Sequence, residues 1–142
     1  MPDARFPFSN FQRARVMYDG VLYPTVEHAY QAAKSDRPEV RARIRTCETP
    51  GQAKRMGNNL LMTQSVRANW EQIKVQVMYD LLKQKFAPGS RHAQDLLAYR
   101  ERIVEWNTWH DNEWGICTCP SCPGRGKNRL GKLLRRIQEE LT

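Results

Sequence analysis

The sequence predicts a compact, helix-rich α+β domain with a few short strands, and three observations lead to this prediction. The chain has 142 residues, of which 40% are hydrophobic, and this suits one domain with one core. Six segments have the apolar periodicity or the capping residues of helices, whereas the strand-like runs are short. No internal repeat, low-complexity stretch or linker is present, so residues 1–142 are expected to form a single domain.

The N-terminal half begins with a predicted β-hairpin. Residues 15–23, RVMYDGVLY, contain two β-prone runs joined by Asp19-Gly20, a dipeptide that readily adopts the positive φ angles of a tight turn. Pro24 ends the second run. Thr25 can then accept a backbone hydrogen bond as the N-cap of a helix that extends to about residue 35.

Further helices follow along the chain. One is expected over 38–46, and TPGQ at 49–52 is a capping-box pattern that begins another, which is expected to end near Gly57-Asn58. Asn69 can cap a long helix over 70–86 with a broad apolar face. The remaining elements are, in order, a helix from Ser90 to about Tyr99, a short strand at 102–106, a loop rich in Pro, Gly and Cys at 107–127, and an amphipathic helix at 129–141.

The charge of the chain favours an anionic partner. The net charge is +8 and the pI is about 9.6, which suits a phosphorylated metabolite or nucleic acid. Lys and Arg are spread along the chain rather than gathered in a tail, which indicates a site or surface on a folded domain. No apolar run is long enough to span a membrane, and the N-terminus lacks the apolar segment of a secretory signal, so a cytoplasmic location without a membrane partner is expected.

The first predicted helix carries polar groups where a core-facing stripe is expected. Glu27, Tyr30, Gln31 and Lys34 follow the spacing i, i+3, i+4 and i+7, beside His28 and several alanines. A carboxylate in a first turn is common for electrostatic reasons alone, and a polar line is often a solvated face. Because the helix has many alanines and few charges, the line is better explained as the wall of a buried pocket.

A second group of residues lies in WNTWHDNEWG at 106–115. Three tryptophans flank Asp111, and they form either a core cluster or flat surfaces on which a base can stack. Asp111 is a second carboxylate that can pair with Glu27 across a cleft. Chemistry at an anomeric carbon needs such a pair, since one carboxylate stabilises the oxocarbenium cation and the other handles a proton.

The segment PGRGKNRLG at 123–131 is either an anion site or a plain connecting loop. Its glycines permit close approach of a ligand, Lys127 adds charge, and Asn128 can cap the last helix. Its spacing differs from that of a Walker sequence.

Three cysteines, Cys117, Cys119 and Cys122, lie within the segment CTCPSC. A structural zinc site needs four ligands, so the three thiols would require a fourth from Cys47, His92 or His110. A Cys119/Cys122 redox pair and free thiols are the other interpretations. No metal and no cofactor are expected for the chemistry.

Taken together and in order, these stretches resemble the NADAR domain family, which includes the YbiA-like N-glycosidases. Each stretch alone is weakly specific, but the ordered set covers nearly the whole chain. The matching segments are FSNF at 8–11, DGVLYPTVEHAYQAAK at 19–34, TPGQAKRMG at 49–57, NWEQIKVQVM at 69–78, KF at 85–86, WNTWHDNEWG at 106–115 and GKNRLGKLL at 126–134.

The resemblance implies a compact helix-rich α+β fold and hydrolysis of N-glycosidic bonds on ribose phosphates. One branch of the family cleaves early intermediates of riboflavin biosynthesis, and another removes ADP-ribose from guanine bases in nucleic acid. The resemblance makes Glu27 the catalytic glutamate, with Asp111 and Lys34 as further catalytic residues. Lys34 either contacts phosphate or traps the ring-opened ribose as a Schiff base. The substrate-binding residues implied are Asn10, Tyr30, Gln31, Trp70, Trp114, Lys127 and Asn128.

One departure from the family pattern affects the choice of substrate. After Trp114-Gly115 the cysteine loop is inserted where the family often has Asp-Gly. The basic chain favours ADP-ribosylated guanine in nucleic acid over a small pyrimidine metabolite. The alternatives are an N-glycosidase of riboflavin intermediates, a non-catalytic binder of ADP-ribose or nucleic acid, and a small zinc-dependent nucleic-acid protein.

Overall fold

The predicted α+β class is confirmed by a computed structural model that describes residues 6–63, 66–122 and 124–142. These residues contain six helices and two small sheets of two strands each. Every helix in these ranges is too short or too polar to cross a bilayer. The elements are β1 (Val16–Tyr18), β2 (Val21–Tyr23), α1 (Val26–Ala33), α2 (Pro38–Arg45), α3 (Pro50–Met62), α4 (Trp70–Lys85), α5 (Arg91–Ala98), β3 (Trp106–Asn107), β4 (Ile116–Cys117) and α6 (Arg129–Leu141).

Two compact units make up the described chain. Residues 10–85 form one unit, which holds the β1–β2 sheet and helices α1 to α4. Residues 6–9 and 86–142 form the other, which holds α5, the β3–β4 sheet and α6. The expectation of a single domain over 1–142 stays a prediction.

The predicted β-hairpin is confirmed. β1 and β2 pair in antiparallel register with Val16 opposite Tyr23. Asp19 and Gly20 have φ angles of 51° and 81°, as a tight hairpin turn requires. Thr25 then caps α1, because its hydroxyl oxygen accepts the backbone N–H of the third residue beyond it at 3.0 Å.

Helix α1 lies at the centre of the unit formed by residues 10–85. All eight of its residues, Val26–Ala33, are buried. The helix packs against α2, α3, α4 and the hairpin. Its alanines allow these neighbours to approach closely, and its polar line is therefore buried rather than a solvated face.

The imidazole of His28 links Thr25, the N-cap of α1, to Cys47, which lies just after α2. Its Nε2 lies 3.0 Å from the Cys47 carbonyl oxygen, which can only accept, so Nε2 carries the proton. Nδ1 then accepts from the Thr25 hydroxyl at 2.7 Å. This arrangement uses the neutral ring, and burial lowers the pKa of His28 below its usual value of 6.5.

Helix α3 begins as predicted but extends further. Thr49 accepts from the Gln52 backbone N–H at 3.1 Å, and the Gln52 side chain accepts from the Thr49 N–H, which completes the capping box. The predicted end near Gly57-Asn58 is wrong, because the helix continues to Met62. Gly57 instead marks the contact with α1, since a Cβ there would overlap the side-chain amide of Gln31.

The predicted strand at 102–106 is also wrong in position. The strand is Trp106–Asn107, which pairs in parallel with Ile116–Cys117. Asn128 explains the difference, because its side chain donates to the Ile103 carbonyl at 3.0 Å and accepts from the Glu105 N–H at 3.2 Å. The Ile103 carbonyl and the Glu105 N–H therefore bond a side chain instead of a neighbouring strand.

Replacing Gly57 with alanine is expected to destabilise the protein by about 1–3 kcal/mol, although alanine is the better helix former. The added Cβ would displace the Gln31 amide. Chemical denaturation monitored by circular dichroism measures the change. Gly51→Ala in the same helix is the matched control, because the nearest atom to its added Cβ lies at 3.6 Å, an ordinary contact. Equal effects of the two substitutions would contradict the close packing of α1 on α3.

His28 is expected to make stability depend on pH. Because the folded pKa is lowered, the unfolded chain binds the extra proton more readily, so stability rises with pH. The contribution of His28 is complete above about pH 6.5 and decreases as the pH falls through the lowered folded pKa. Urea unfolding at pH 7.5 and pH 5.5 should show a larger loss for the wild type than for His28→Gln. His92→Gln, which alters a half-buried histidine, should keep the wild-type loss.

Candidate active site

Glu27, Gln31 and Lys34 form a buried polar line along α1. Their exposed fractions are 8%, 3% and 5%. The Gln31 amide nitrogen donates to Glu27 Oε2 at 2.5 Å, which fixes the direction of the carboxylate. Glu27 also lies in the first turn of α1, where the N-terminus of the helix carries partial positive charge. The predicted pocket-wall residues are therefore held together inside the protein.

Asn10 lies beside the start of α1. Its carbonyl oxygen accepts the Glu27 backbone N–H at 3.2 Å, and its side-chain nitrogen contacts the Met78 sulfur at 3.6 Å. These contacts anchor the segment before the hairpin to both α1 and α4.

Two buried acceptor atoms in this region have no hydrogen-bond partner among the described residues. They are Asn10 Oδ1 and Gln31 Oε1. A buried amide oxygen without a donor costs free energy, and most such atoms in proteins are satisfied. Both belong to predicted substrate-binding residues, and a hydroxyl group is the kind of donor that would satisfy them.

Tyr30 and Trp70 form an aromatic pair on α1 and α4. Their ring centroids are 5.1 Å apart with an interplanar angle of 57°, and both rings are buried. Lys34 Nζ lies 5.7 Å from the Tyr30 centroid, within reach of a cation–π interaction. The Arg67 N–H donates to the Lys34 carbonyl at 2.8 Å and fixes the end of α1. The aromatic pair therefore borders the same polar line.

Lys85 is a buried lysine for which the sequence predicts no role. Its Nζ donates to the Gln12 side chain at 2.8 Å, and burial lowers the pKa of Lys85 to about 7. It falls within the KF stretch of the family resemblance, but a lysine in the last turn of a helix gives no sequence signal for such a shift. Lys85 is thus a buried lysine that can carry a neutral amine near neutral pH.

Asp111 is held in place by the loop that contains it. Its Oδ1 accepts the N–H groups of Glu113 and Trp114 at 3.1 and 2.9 Å. The Asn107 side chain bonds both backbone groups of Asp111, accepting at 3.1 Å and donating at 2.8 Å. The half-buried carboxylate therefore has a defined direction.

The tryptophans around Asp111 do not form a core cluster. Trp106 and Trp109 are 42% and 37% exposed, and Trp114 is half-buried. Of the two sequence-based interpretations, the structure favours accessible aromatic surfaces. Stacking on a base requires such surfaces.

The start of α6 does not offer a free anion site. Its first two amides, those of Arg129 and Leu130, donate to the carbonyls of Glu113 and Trp114, each at 3.0 Å. The prediction that the Asn128 side chain caps the helix is wrong, because it makes no cap hydrogen bond and holds the 103–105 segment instead. Lys127 is exposed, so a phosphate contact through its side chain stays a prediction.

The predicted site residues fall into two groups. Asn10, Glu27, Tyr30, Gln31, Lys34 and Trp70 belong to the unit of residues 10–85, where the structure brings them together around α1. Asp111, Trp114, Lys127 and Asn128 belong to the unit that contains α6. The pairing of Asp111 with Glu27 stays a prediction.

Comparisons with known proteins place the chain in a family. The model of the NADAR domain matches residues 2–142. The chain is 38% identical to N-glycosidase YbiA of Shigella flexneri serotype 5b (strain 8401), an alignment that covers 95% of this chain and 81% of the relative. It is 30% identical to a riboflavin biosynthesis protein of Vibrio vulnificus (strain YJ016), covering 99% of this chain and 37% of that protein.

A solved structure agrees with the fold. The NMR structure of the Escherichia coli protein YbiA superposes with a TM-score of 0.77 at 38% identity, covering 98% of this chain and 79% of that one. The family match, the sequence identity and the shared fold all lead to one conclusion. The chain belongs to the NADAR domain family.

Proposed function

We propose that this chain hydrolyses the N-glycosidic bond of a ribose-phosphate or ADP-ribose conjugate, with ADP-ribosylated guanine in nucleic acid as its preferred substrate. Its class as an N-glycosidase follows from its family and from the relatives of that name. The observation that carries the proposed site is the buried Glu27–Gln31 pair on α1. The substrate and the residue roles below are the content of the proposal.

Glu27 supplies the charge that the reaction needs. Departure of the base leaves an oxocarbenium-like ribose, which a nearby carboxylate stabilises most strongly in a site that excludes water. Gln31 holds the Glu27 carboxylate in one orientation, so little reorganisation is needed as the cation develops. Asp111, fixed through its Oδ1, handles the proton for the departing base or the attacking water.

The two buried acceptors without a donor among the described residues suit a ligand that carries hydroxyl groups. Asn10 Oδ1 and Gln31 Oε1 are buried and need donors, and ribose hydroxyls are donors. Lys34 contacts phosphate or the ring-opened ribose. Because Gln31 bonds Glu27, a sugar hydroxyl that bonds Gln31 would couple sugar binding to the orientation of the catalytic carboxylate.

The preference for a nucleic-acid substrate is supported by charge and by the exposed aromatic rings. The net charge of +8 favours a polyanion. Trp106 and Trp109 offer faces on which neighbouring bases can stack. The second candidate is a riboflavin-pathway intermediate, which is favoured by the similarity to the riboflavin biosynthesis protein of Vibrio vulnificus. A non-catalytic binder would not require a buried and oriented carboxylate.

A substrate panel tests the proposal. The purified protein is incubated with ADP-ribosylated guanosine, an oligonucleotide that carries ADP-ribosylated guanine, ADP-ribosylated thymidine and an early riboflavin intermediate. Mass spectrometry then measures the released base and the released sugar phosphate. Fastest cleavage of the oligonucleotide supports the preferred substrate, whereas cleavage of the riboflavin intermediate alone supports the second candidate. No cleavage of any substrate would favour a binding function.

Glu27→Gln is expected to retain the fold and lower the rate at least about 100-fold, since the lost electrostatic stabilisation is worth about 3 kcal/mol. Glutamine has nearly the same volume and can still bond Gln31. The control is Glu39→Gln, because the Glu39 side chain is 66% exposed and pairs with Arg37 at the surface. Circular dichroism checks the fold. A Glu27→Gln enzyme with more than about a tenth of the wild-type rate would exclude Glu27 as the catalytic carboxylate.

Borohydride trapping is expected to distinguish the two roles of Lys34. If the ribose opens to an aldehyde, an amine within reach condenses with it, and reduction makes the adduct permanent. Mass spectrometry after reduction during turnover locates the adduct. Lys85 is the internal comparison, because it is another buried amine and burial lowers its pKa to about 7. An adduct on Lys34 shows the covalent route. An unmodified Lys34, together with an active Lys34→Arg variant, would show a binding role.

A further inference from the structure

We propose that His110, Cys117, Cys119 and Cys122 bind a structural zinc ion. Their ligand atoms, one imidazole nitrogen and three sulfurs, all lie within 4.8 Å of one another. The sequence leaves the fourth ligand open among Cys47, His92 and His110, and the fold brings His110 to the three cysteines. This site is independent of the proposed N-glycosidase chemistry, because its four residues are distinct from the predicted catalytic residues.

The distances fit a tetrahedral ion. Zinc lies about 2.3 Å from thiolate sulfur and about 2.0–2.1 Å from imidazole nitrogen, so neighbouring N and S ligands are about 3.6 Å apart. His110 Nδ1 lies 3.3 Å from Cys119 Sγ and 3.4 Å from Cys122 Sγ. Movements of a few tenths of an ångström therefore bring these two nitrogen–sulfur separations to the ideal value.

The local fold places the ligands. Cys117 is the second residue of β4, opposite Asn107 in β3, and His110 follows β3 by three residues. His110 has a φ angle of 68°, a left-handed backbone conformation that costs a non-glycine residue free energy. After β4 the chain makes a turn in which the Cys122 N–H donates to the Cys119 carbonyl at 3.0 Å. This turn brings the sulfurs of Cys119 and Cys122 close to the imidazole of His110.

The surroundings suit thiolate ligands. The N–H groups of His110 and Cys119 point at Cys117 Sγ, at 3.3 and 3.5 Å. Backbone donors of this kind stabilise negative charge on a metal-bound sulfur and orient the ligand. Zn²⁺ would displace the protons of the three thiols, and the imidazole would bind as the neutral base.

The ligand set points to a structural rather than a catalytic ion. Three cysteines and one histidine fill all four tetrahedral positions and leave none open for water or substrate. The ion would close the loop between β3 and β4, which includes Trp109 and Asp111. Its effect on catalysis would therefore be indirect, through the position of that loop.

The first experiment measures metal in the full-length protein. Protein purified without chelator should contain about one zinc ion per chain, as a single four-ligand site requires. After the zinc is removed and replaced with Co²⁺, the spectrum should show thiolate-to-cobalt charge transfer and the intense visible bands of tetrahedral coordination. This measurement needs no variant, so misfolding of a variant cannot obscure it.

Variants then identify the ligands. Cys119→Ser, Cys122→Ser and His110→Ala should each bind zinc at least about 100-fold more weakly, as expected for loss of one ligand of four. Cys47→Ser is the matched control, because Cys47 lies in the unit of residues 10–85, where its thiol contacts the Arg43 carbonyl at 3.5 Å. His92→Ala is the control for the histidine. Both controls should keep the wild-type zinc content.

Three outcomes would overturn the proposal. The first is wild-type protein that contains no zinc and gives no cobalt spectrum. The second is a disulfide between Cys119 and Cys122 in the purified protein, detected by mass spectrometry without reduction. The third is an equal loss of zinc from Cys47→Ser, which would place the ion elsewhere. Glycosidase activity is measured independently of zinc content. An inactive protein that retains one zinc ion would contradict the proposed function and not the zinc site.

Discussion

The complete burial of α1 is the constraint on which the unit of residues 10–85 depends. A helix with a glutamate, a histidine, a glutamine and a neighbouring lysine can be buried only if the polar groups find partners inside the protein. Glu27 bonds Gln31, and His28 bonds Thr25 and the Cys47 carbonyl. Each of these bonds also joins α1 to itself or to a neighbouring element. Burial and orientation of the polar line are therefore consequences of the same contacts.

This arrangement suits the proposed chemistry because the Glu27 carboxylate is already oriented by Gln31. A carboxylate that must stabilise a short-lived cation is most effective when no rearrangement is needed. The Gln31 side chain bonds the Glu27 carboxylate and packs against Gly57 of α3, where the absence of a Cβ leaves room for it. Among the described residues, the buried amide oxygens of Asn10 and Gln31 have no donor. Under the proposed function, the hydroxyl groups of a bound sugar would supply one.

The sequence predicted the features that depend on neighbours along the chain and missed those that depend on distant contacts. The hairpin turn, the Thr25 cap and the capping box at Thr49 are local, and the structure confirms them. Gly57 was interpreted as a helix end because its packing against Gln31 cannot be seen locally. In the same way, the strand predicted at 102–106 failed because Asn128, more than twenty residues away, occupies its backbone groups.

The ligands of the cysteine loop also depend on contacts that are distant in the sequence. The same loop helps to position Asp111. No sequence rule selects His110 over His92 or Cys47 as a fourth ligand, because the choice depends on how the chain returns after β4. The β3–β4 sheet has only two residues in each strand and offers the inserted loop few backbone bonds. On one side, α6 holds the segment after Asp111 through the amides that bond the carbonyls of residues 113 and 114. The zinc ion would hold the segment before it through His110, so that a carboxylate on an irregular loop is fixed from both directions.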